Sequence, residues 1–169
     1  MSKFNQRVLS LISNLIPATP VSAHCDYPCG IYDPHLAQIG ALTVIRMMNL
    51  MNELETGHEH HDLEFQNSMT RAITIKEEHA ELVKREVRVI WGDYFKDEHL
   101  KQYPEINELV HNIMQLASKC RQTAERDNGT KLLEAVNKFS EIFWETKNKE
   151  TKRVKAPYKP EEEIVYPQL

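Results

Sequence analysis

Apolar residues step by threes and fours through four successive stretches downstream of Pro34, and few architectures are open to a chain patterned in that way. The first stretch, near 35–55, sets Leu36, Ile39, Thr43, Met47, Leu50 and Leu54 on one stripe. The second, about 66–95, aligns Met69, Ile73, Ala80, Val83, Val87, Ile90 and Tyr94, with Asn67 or Ser68 as candidate start caps and Gly92 near its end. A third begins after Pro104, a residue suited to the first position of a helix, and carries Ile106, Leu109, Ile113, Leu116 and Cys120. Asp127-Asn128-Gly129 reads as a turn, after which Leu132, Val136, Phe139 and Phe143 mark a fourth. Four amphipathic segments joined by short links bury their stripes against one another, so the sequence predicts an all-α four-helix bundle. No stretch alternates with a period of two, and no sheet is expected.

The chain is 169 residues long, enough for one domain with its own core. No run of about 18 apolar residues is present, which argues against a membrane span. With only 5 glycines the chain has neither a GxGxxG nor a GxxxxGK[ST] cradle for phosphates. Its 25 acids against 21 bases argue against a nucleic-acid partner.

Residues 1–23 read as a cleavable leader. Lys3 and Arg7 precede a short apolar stretch from Val8 to Ile16, then Pro17 and Pro20, and the segment ends on Val21-Ser22-Ala23. Removal by a maturation protease would take the formal charge from −4 to −6 (−4 minus +2), since Lys3 and Arg7 are the leader's only charged side chains. Cytoplasmic residence is expected, with export as the alternative if the leader acts as a signal peptide. Residues 24–151 are assigned to the bundle. The segment 152–169, with its prolines and Glu161-Glu162-Glu163, is expected to be an extended tail, mobile or lying on a neighbouring subunit.

The chemistry is concentrated directly after the leader, in His24-Cys25-Asp26-Tyr27-Pro28-Cys29-Gly30-Ile31-Tyr32-Asp33-Pro34. Three cysteines are too few for a disulfide framework, and two of them lie four apart here. Cleavage before His24 would place a free amine, an imidazole and two thiols within six residues. The amine, the following amide nitrogen and the Cys25 sulfur can then bind one metal in two fused five-membered rings. Cys29, brought round by Tyr27-Pro28, closes an N2S2 plane that the His24 imidazole can approach axially. A square plane of nitrogen and sulfur suits nickel or copper better than zinc, which prefers a tetrahedron.

This stretch resembles the N-terminal hook of the nickel-type superoxide dismutases, H-C-D-x-P-C-G-x-Y-D-P, at every fixed position. The resemblance continues in Trp91-Gly92-Asp93-Tyr94-Phe95-Lys96, Tyr103-Pro104-Glu105 and Ile142-Phe143-Trp144-Glu145-Thr146-Lys147, and spans roughly residues 24–149. It implies a homohexamer of four-helix bundles, each with one nickel ion, that converts superoxide to oxygen and hydrogen peroxide while nickel cycles between its 2+ and 3+ states. By the same resemblance the metal ligands are His24, Cys25 and Cys29. Pro28 matches a cis-proline. Tyr32 matches a tyrosine beside the open axial face, and Asp26 a residue whose backbone lies at that face. Asp93, Tyr94 and Lys96 match a segment that buttresses the hook. Where the best-known members carry a glutamate and an arginine that orient the axial imidazole, this chain has Gly40 and His79, and His79 is the candidate to replace part of that pair.

Other residues have plainer readings. Cys120 falls on an apolar stripe and reads as a core thiol, and Met47, Met48 and Met51 as core filler. His58, His60 and His61 read as a polar loop, and Glu77-Glu78 with Lys84-Arg85 as a solvated helix face. A dithiol redox module using Cys25 and Cys29, and a metal-storage bundle without turnover, are the alternatives to the enzyme.

Overall fold

The first helix starts where Pro34 ends the hook motif. The Asp33 carboxylate accepts the His35 N–H at 2.8 Å, and the Pro34 carbonyl accepts from Ala37 and Gln38 at 3.0 and 3.2 Å. Helix α1 then runs His35–Gly57. In this computed structural model the described residues are 29–57 and 62–169. Residues Ile31–Leu169 make one compact unit, and Cys29 and Gly30 belong to a separate one, Met1–Gly30. Residues 1–28, with the expected leader, and His58, His60 and His61, expected in a polar loop, lie outside the described residues.

Helix α2, Leu63–Val89, is capped by Asp62, whose side chain accepts the Phe65 N–H at 2.8 Å. The helix therefore begins several residues ahead of Asn67 and Ser68. It runs directly into a π-helical turn, Ile90–Tyr94, closed by Phe95 N–H on the Ile90 carbonyl at 3.3 Å. A short helix α3, Asp97–Gln102, precedes α4, Ile106–Gln122, and α5, Arg126–Thr146. Helix α1 packs on α2 and α5, and α4 packs on both of those, which closes the four long helices into the expected bundle.

Two details of packing differ from the periodicity. Helix α1 is apolar on two stripes, and the one that enters the core is Ala37, Ala41, Val44, Ile45 and Met48. Leu36, at 45% exposure, and the half-buried Ile39, Met47, Leu50 and Leu54 lie outside it. Small residues decide the choice, because they let helix axes approach. At Gly40 a Cβ would lie 2.9 Å from Val83 Cγ2 and 3.3 Å from the His79 carbonyl oxygen. Gly129, placed in a turn by the sequence, is instead a buried residue of α5, where a Cβ would meet Ile45 Cγ1 at 2.9 Å. Gly40→Ala should therefore destabilise the fold by about 1–3 kcal/mol, an overpacking cost, read as a lower denaturation midpoint.

A buried lysine ties α2 to α4. Lys76, 2% exposed, donates from Nζ to the carbonyls of Cys120, Arg121 and Thr123 at 2.6, 2.9 and 2.8 Å. Those carbonyls close α4, where the last turn has no partners of its own. Burial pushes the Lys76 pKa down.

The expectation of no sheet is corrected at the C-terminus. Strands β1, Thr151–Lys155, and β2, Glu163–Pro167, pair antiparallel from Thr151↔Pro167 to Lys155↔Glu163. The segment expected to be an extended tail thus forms a hairpin that packs on its own chain. Ile164, Val165 and Ala156 are buried in this chain. Alternation was invisible because β1 carries a single apolar residue, Val154, and β2 buries the adjacent Ile164 and Val165.

Candidate metal centre

Two cysteines are described, and their surroundings divide their chemistry. Cys29 is exposed. Cys120 is fully buried, and burial pushes its thiol up to about 11, only partly offset by the Lys76 charge. A thiolate is the form that binds metal, so Cys120 is a core residue and Cys29 is the one of the two suited to be a donor. Gly30 follows at φ +70°, a backbone conformation that side chains rarely adopt, and its Cβ position is open. The glycine is thus required by conformation and not by crowding. Thiolate with amine and amide nitrogen is a donor set that fits nickel. His24, Cys25, Asp26 and Pro28 lie outside the described residues.

The π turn carries Asp93 and Tyr94, with Lys96 two residues past its end, and it sets Tyr94 beside Tyr32. Inserting one residue into an α-helix shifts every following side chain around the axis, and such turns recur at functional sites. Here the turn ends on Tyr94, whose ring centroid lies 5.7 Å from that of Tyr32. The Tyr94 ring also contacts Phe143 at 4.8 Å and Phe95, edge-on, at 5.4 Å. Its hydroxyl is 2.7 Å from Thr146 Oγ1. The Thr146 hydroxyl gives its one hydrogen to the Phe143 carbonyl at 2.6 Å, so Tyr94 must be the donor of the pair. Lys147 Nζ sits 4.6 Å over the same ring. Lys96 is exposed and its Nζ donates to the Asp93 carbonyl at 2.7 Å, holding the end of the π turn.

His99, Thr146 and Lys147 were given no role by the sequence reading. The His99 ring lies parallel to Tyr94 at 5.3 Å and 12°, and its Nδ1 accepts the Lys96 N–H at 3.1 Å. A signal for His99 existed, since it stands three residues past Lys96 at the start of α3, where a side chain reaches back to the cap backbone.

His79 stands apart from this cluster in its bonding. Its Nδ1 donates to the Ile75 carbonyl at 2.8 Å, so Nε2 is the ring nitrogen that takes no part in that bond. The groove at its side is lined by Glu78, Glu81, Leu82, Arg85 and Arg88. Its backbone faces Gly40, so the two positions where the chain departs from the resemblance face one another across the α1–α2 contact.

The family model for nickel-containing superoxide dismutase matches residues 19–147. The chain belongs to that family. It is 42% identical over 131 residues to the nickel superoxide dismutase of Streptomyces coelicolor, covering 78% of this chain and 93% of the relative. To that of Streptomyces seoulensis it is 40% identical over the same length. A native nickel superoxide dismutase structure superposes with a TM-score of 0.64 at 40% identity, over 73% of this chain and 99% of that one. A structure of the oxidised-state ligation gives 0.65 at 39% identity. The family match takes in the whole of His24–Pro34, the π turn and the Tyr94 cluster. It ends before β1.

Proposed function

We propose that this member of the nickel superoxide dismutases disproportionates superoxide at one nickel ion per subunit, held by His24, Cys25 and Cys29. The observation that carries this is the family match across residues 19–147, which contains the complete hook motif together with the exposed Cys29 thiol. Nickel bound there supplies a one-electron couple: one superoxide loses an electron and leaves as oxygen, and a second gains one with two protons and leaves as hydrogen peroxide.

The remaining steps belong to side chains of this chain. Tyr32 limits access and positions the small anion, and Tyr94 fixes the Tyr32 ring, because Tyr94 cannot turn away without breaking its bond to Thr146. The Asp26 backbone donates towards the anion, Pro28 shapes the hook turn, and His79 takes part of the orienting role that Gly40 leaves open. Residues 1–23 are removed by a protease before nickel is taken up. The protein acts in the cytoplasm as a homohexamer; the half-exposed apolar stripe of α1, with Met47, Leu50 and Leu54 along a groove beside Arg71 and Ile75, supports burial against another copy.

The test is direct superoxide consumption by nickel-loaded protein beginning at His24, with the metal-free protein as control; no nickel-dependent consumption would refute the reading. The processed chain is net negative, so approach of an anion depends on local positive charge, and Lys96 provides it. Lys96→Ala should lower the second-order rate severalfold at low ionic strength and much less above 0.1 M salt, where screening acts within about 10 Å. An equal loss at both salt concentrations would make Lys96 a structural residue.

A further inference from the structure

We infer that residues 150–169 are a strap that holds the first turn of α1, and through it the hook, with Gln38 as the latch and a positioning residue for the reaction proposed above; the hook part of this rests on that reading. The strap lies after the last residue of the family match, and 99% of the native enzyme chain is already accounted for by 73% of this one. It is therefore an addition to a bundle that relatives build without it.

The strap is fastened at two places. On α5, Asn137 Nδ2 donates to the Glu163 carbonyl at 2.9 Å, and Arg153 forks onto Glu134 at 2.6 and 2.9 Å while its Nε reaches Glu141 at 2.7 Å. Arg126 also pairs with Glu162. A two-pronged guanidinium–carboxylate contact fixes orientation as well as distance.

The second fastening is on α1 and has a different character. Gln38 is 1% exposed. Its Oε1 accepts the Val165 N–H at 2.6 Å, and its Nε2 donates to the Val165 carbonyl at 3.1 Å. The side-chain amide thus pairs with the outer edge of β2 as a third strand would, satisfying an edge that would otherwise stay open. Both amide atoms are used on one residue, so the contact is specific in register. Val165 and the neighbouring Ile164 are buried, and the His35 ring lies 5.6 Å from that of Tyr166. Gln38 is in the first turn of α1, its own N–H bonded to the Pro34 carbonyl. Pro34 ends the hook motif, so what fixes Gln38 fixes the point from which the hook departs.

The strap and the hook are tested by separate readouts on three processed proteins: the chain from His24, the same chain ending at Lys149, and the full-length processed chain with Gln38→Leu. The first readout needs no metal. Hydrogen exchange at the Ala37 and Gln38 amides should be about tenfold faster in both variants, while exchange in α4 at Ile113 and Ala117 stays as in the parent. The second is the rate at which nickel passes to an excess of a chelator, which should also rise about tenfold, the lower end of what outer contacts to a metal site are worth. Unchanged exchange at Ala37 and Gln38 overturns the strap, as does exchange that rises equally in α4, which would mean general loosening. Faster exchange in the first turn with unchanged nickel release overturns the link to the hook. If the parent chain takes up no nickel, the function reading fails, and the metal-free exchange still decides the strap.

Discussion

Cys29→Ser should reduce superoxide consumption to background and remove nickel from the protein, whereas Cys120→Ser should leave both in place. The two thiols share a sequence and almost nothing else. Cys29 is exposed and precedes a glycine at φ +70°, while Cys120 is buried with its thiol pushed up to about 11. Serine at Cys29 offers a neutral hydroxyl where an anionic, polarisable donor is required, so the stabilisation of the higher nickel state is lost along with affinity. The loss should exceed the roughly 10–100-fold that changes outside the ligand set produce. At Cys120 the replacement places a hydroxyl in an apolar setting, for a cost of about 1–3 kcal/mol in stability and none in turnover per folded molecule. Nickel content by elemental analysis, superoxide consumption and a denaturation midpoint on each variant separate the two outcomes. Retained activity in Cys29→Ser would contradict the donor assignment.

The family and the bundle were legible because each is written locally. The motif that carries the resemblance is a run of adjacent residues, and three-four spacing shows helices wherever the polar face is clearly polar, as on α4 and α5. Helix α1 shows where such reading stops: it is apolar on two stripes, and only the approach of α2 at Gly40 determines which one is core. Gly129 misled for a related reason, since Asp-Asn-Gly is a turn signal in isolation but here serves a close approach to Ile45. Lys76 looks like part of a charged face in Lys76-Glu77-Glu78, and its role appears only when α4 brings three carbonyls to it. The hairpin was missed because the group that completes its edge, the Gln38 amide, lies 127 residues away in the chain. Around Tyr94 the aromatic positions were legible, but the direction of its hydroxyl bond needed Thr146 and Phe143 in place.

The proposed nickel centre depends on one nitrogen atom. In the full chain the His24 nitrogen is a peptide amide joined to Ala23; in a chain that begins at His24 it is an amine, a neutral donor once deprotonated, with an ordinary pKa of about 7.7–8.0. Only the amine can begin the fused chelate without the loss of a second amide proton, so the leader would keep the centre inactive until it is removed. Three proteins test this at equal purity: the full chain, the chain beginning at His24, and that same chain with one alanine added ahead of His24. The added alanine leaves every side chain in place and changes only the terminus. Nickel should enter a square-planar site, seen by its absorption spectrum and by one metal per chain, and superoxide should be consumed, in the second protein alone. Activity in the alanine-extended chain equal to that of the chain beginning at His24 would contradict the free-amine centre.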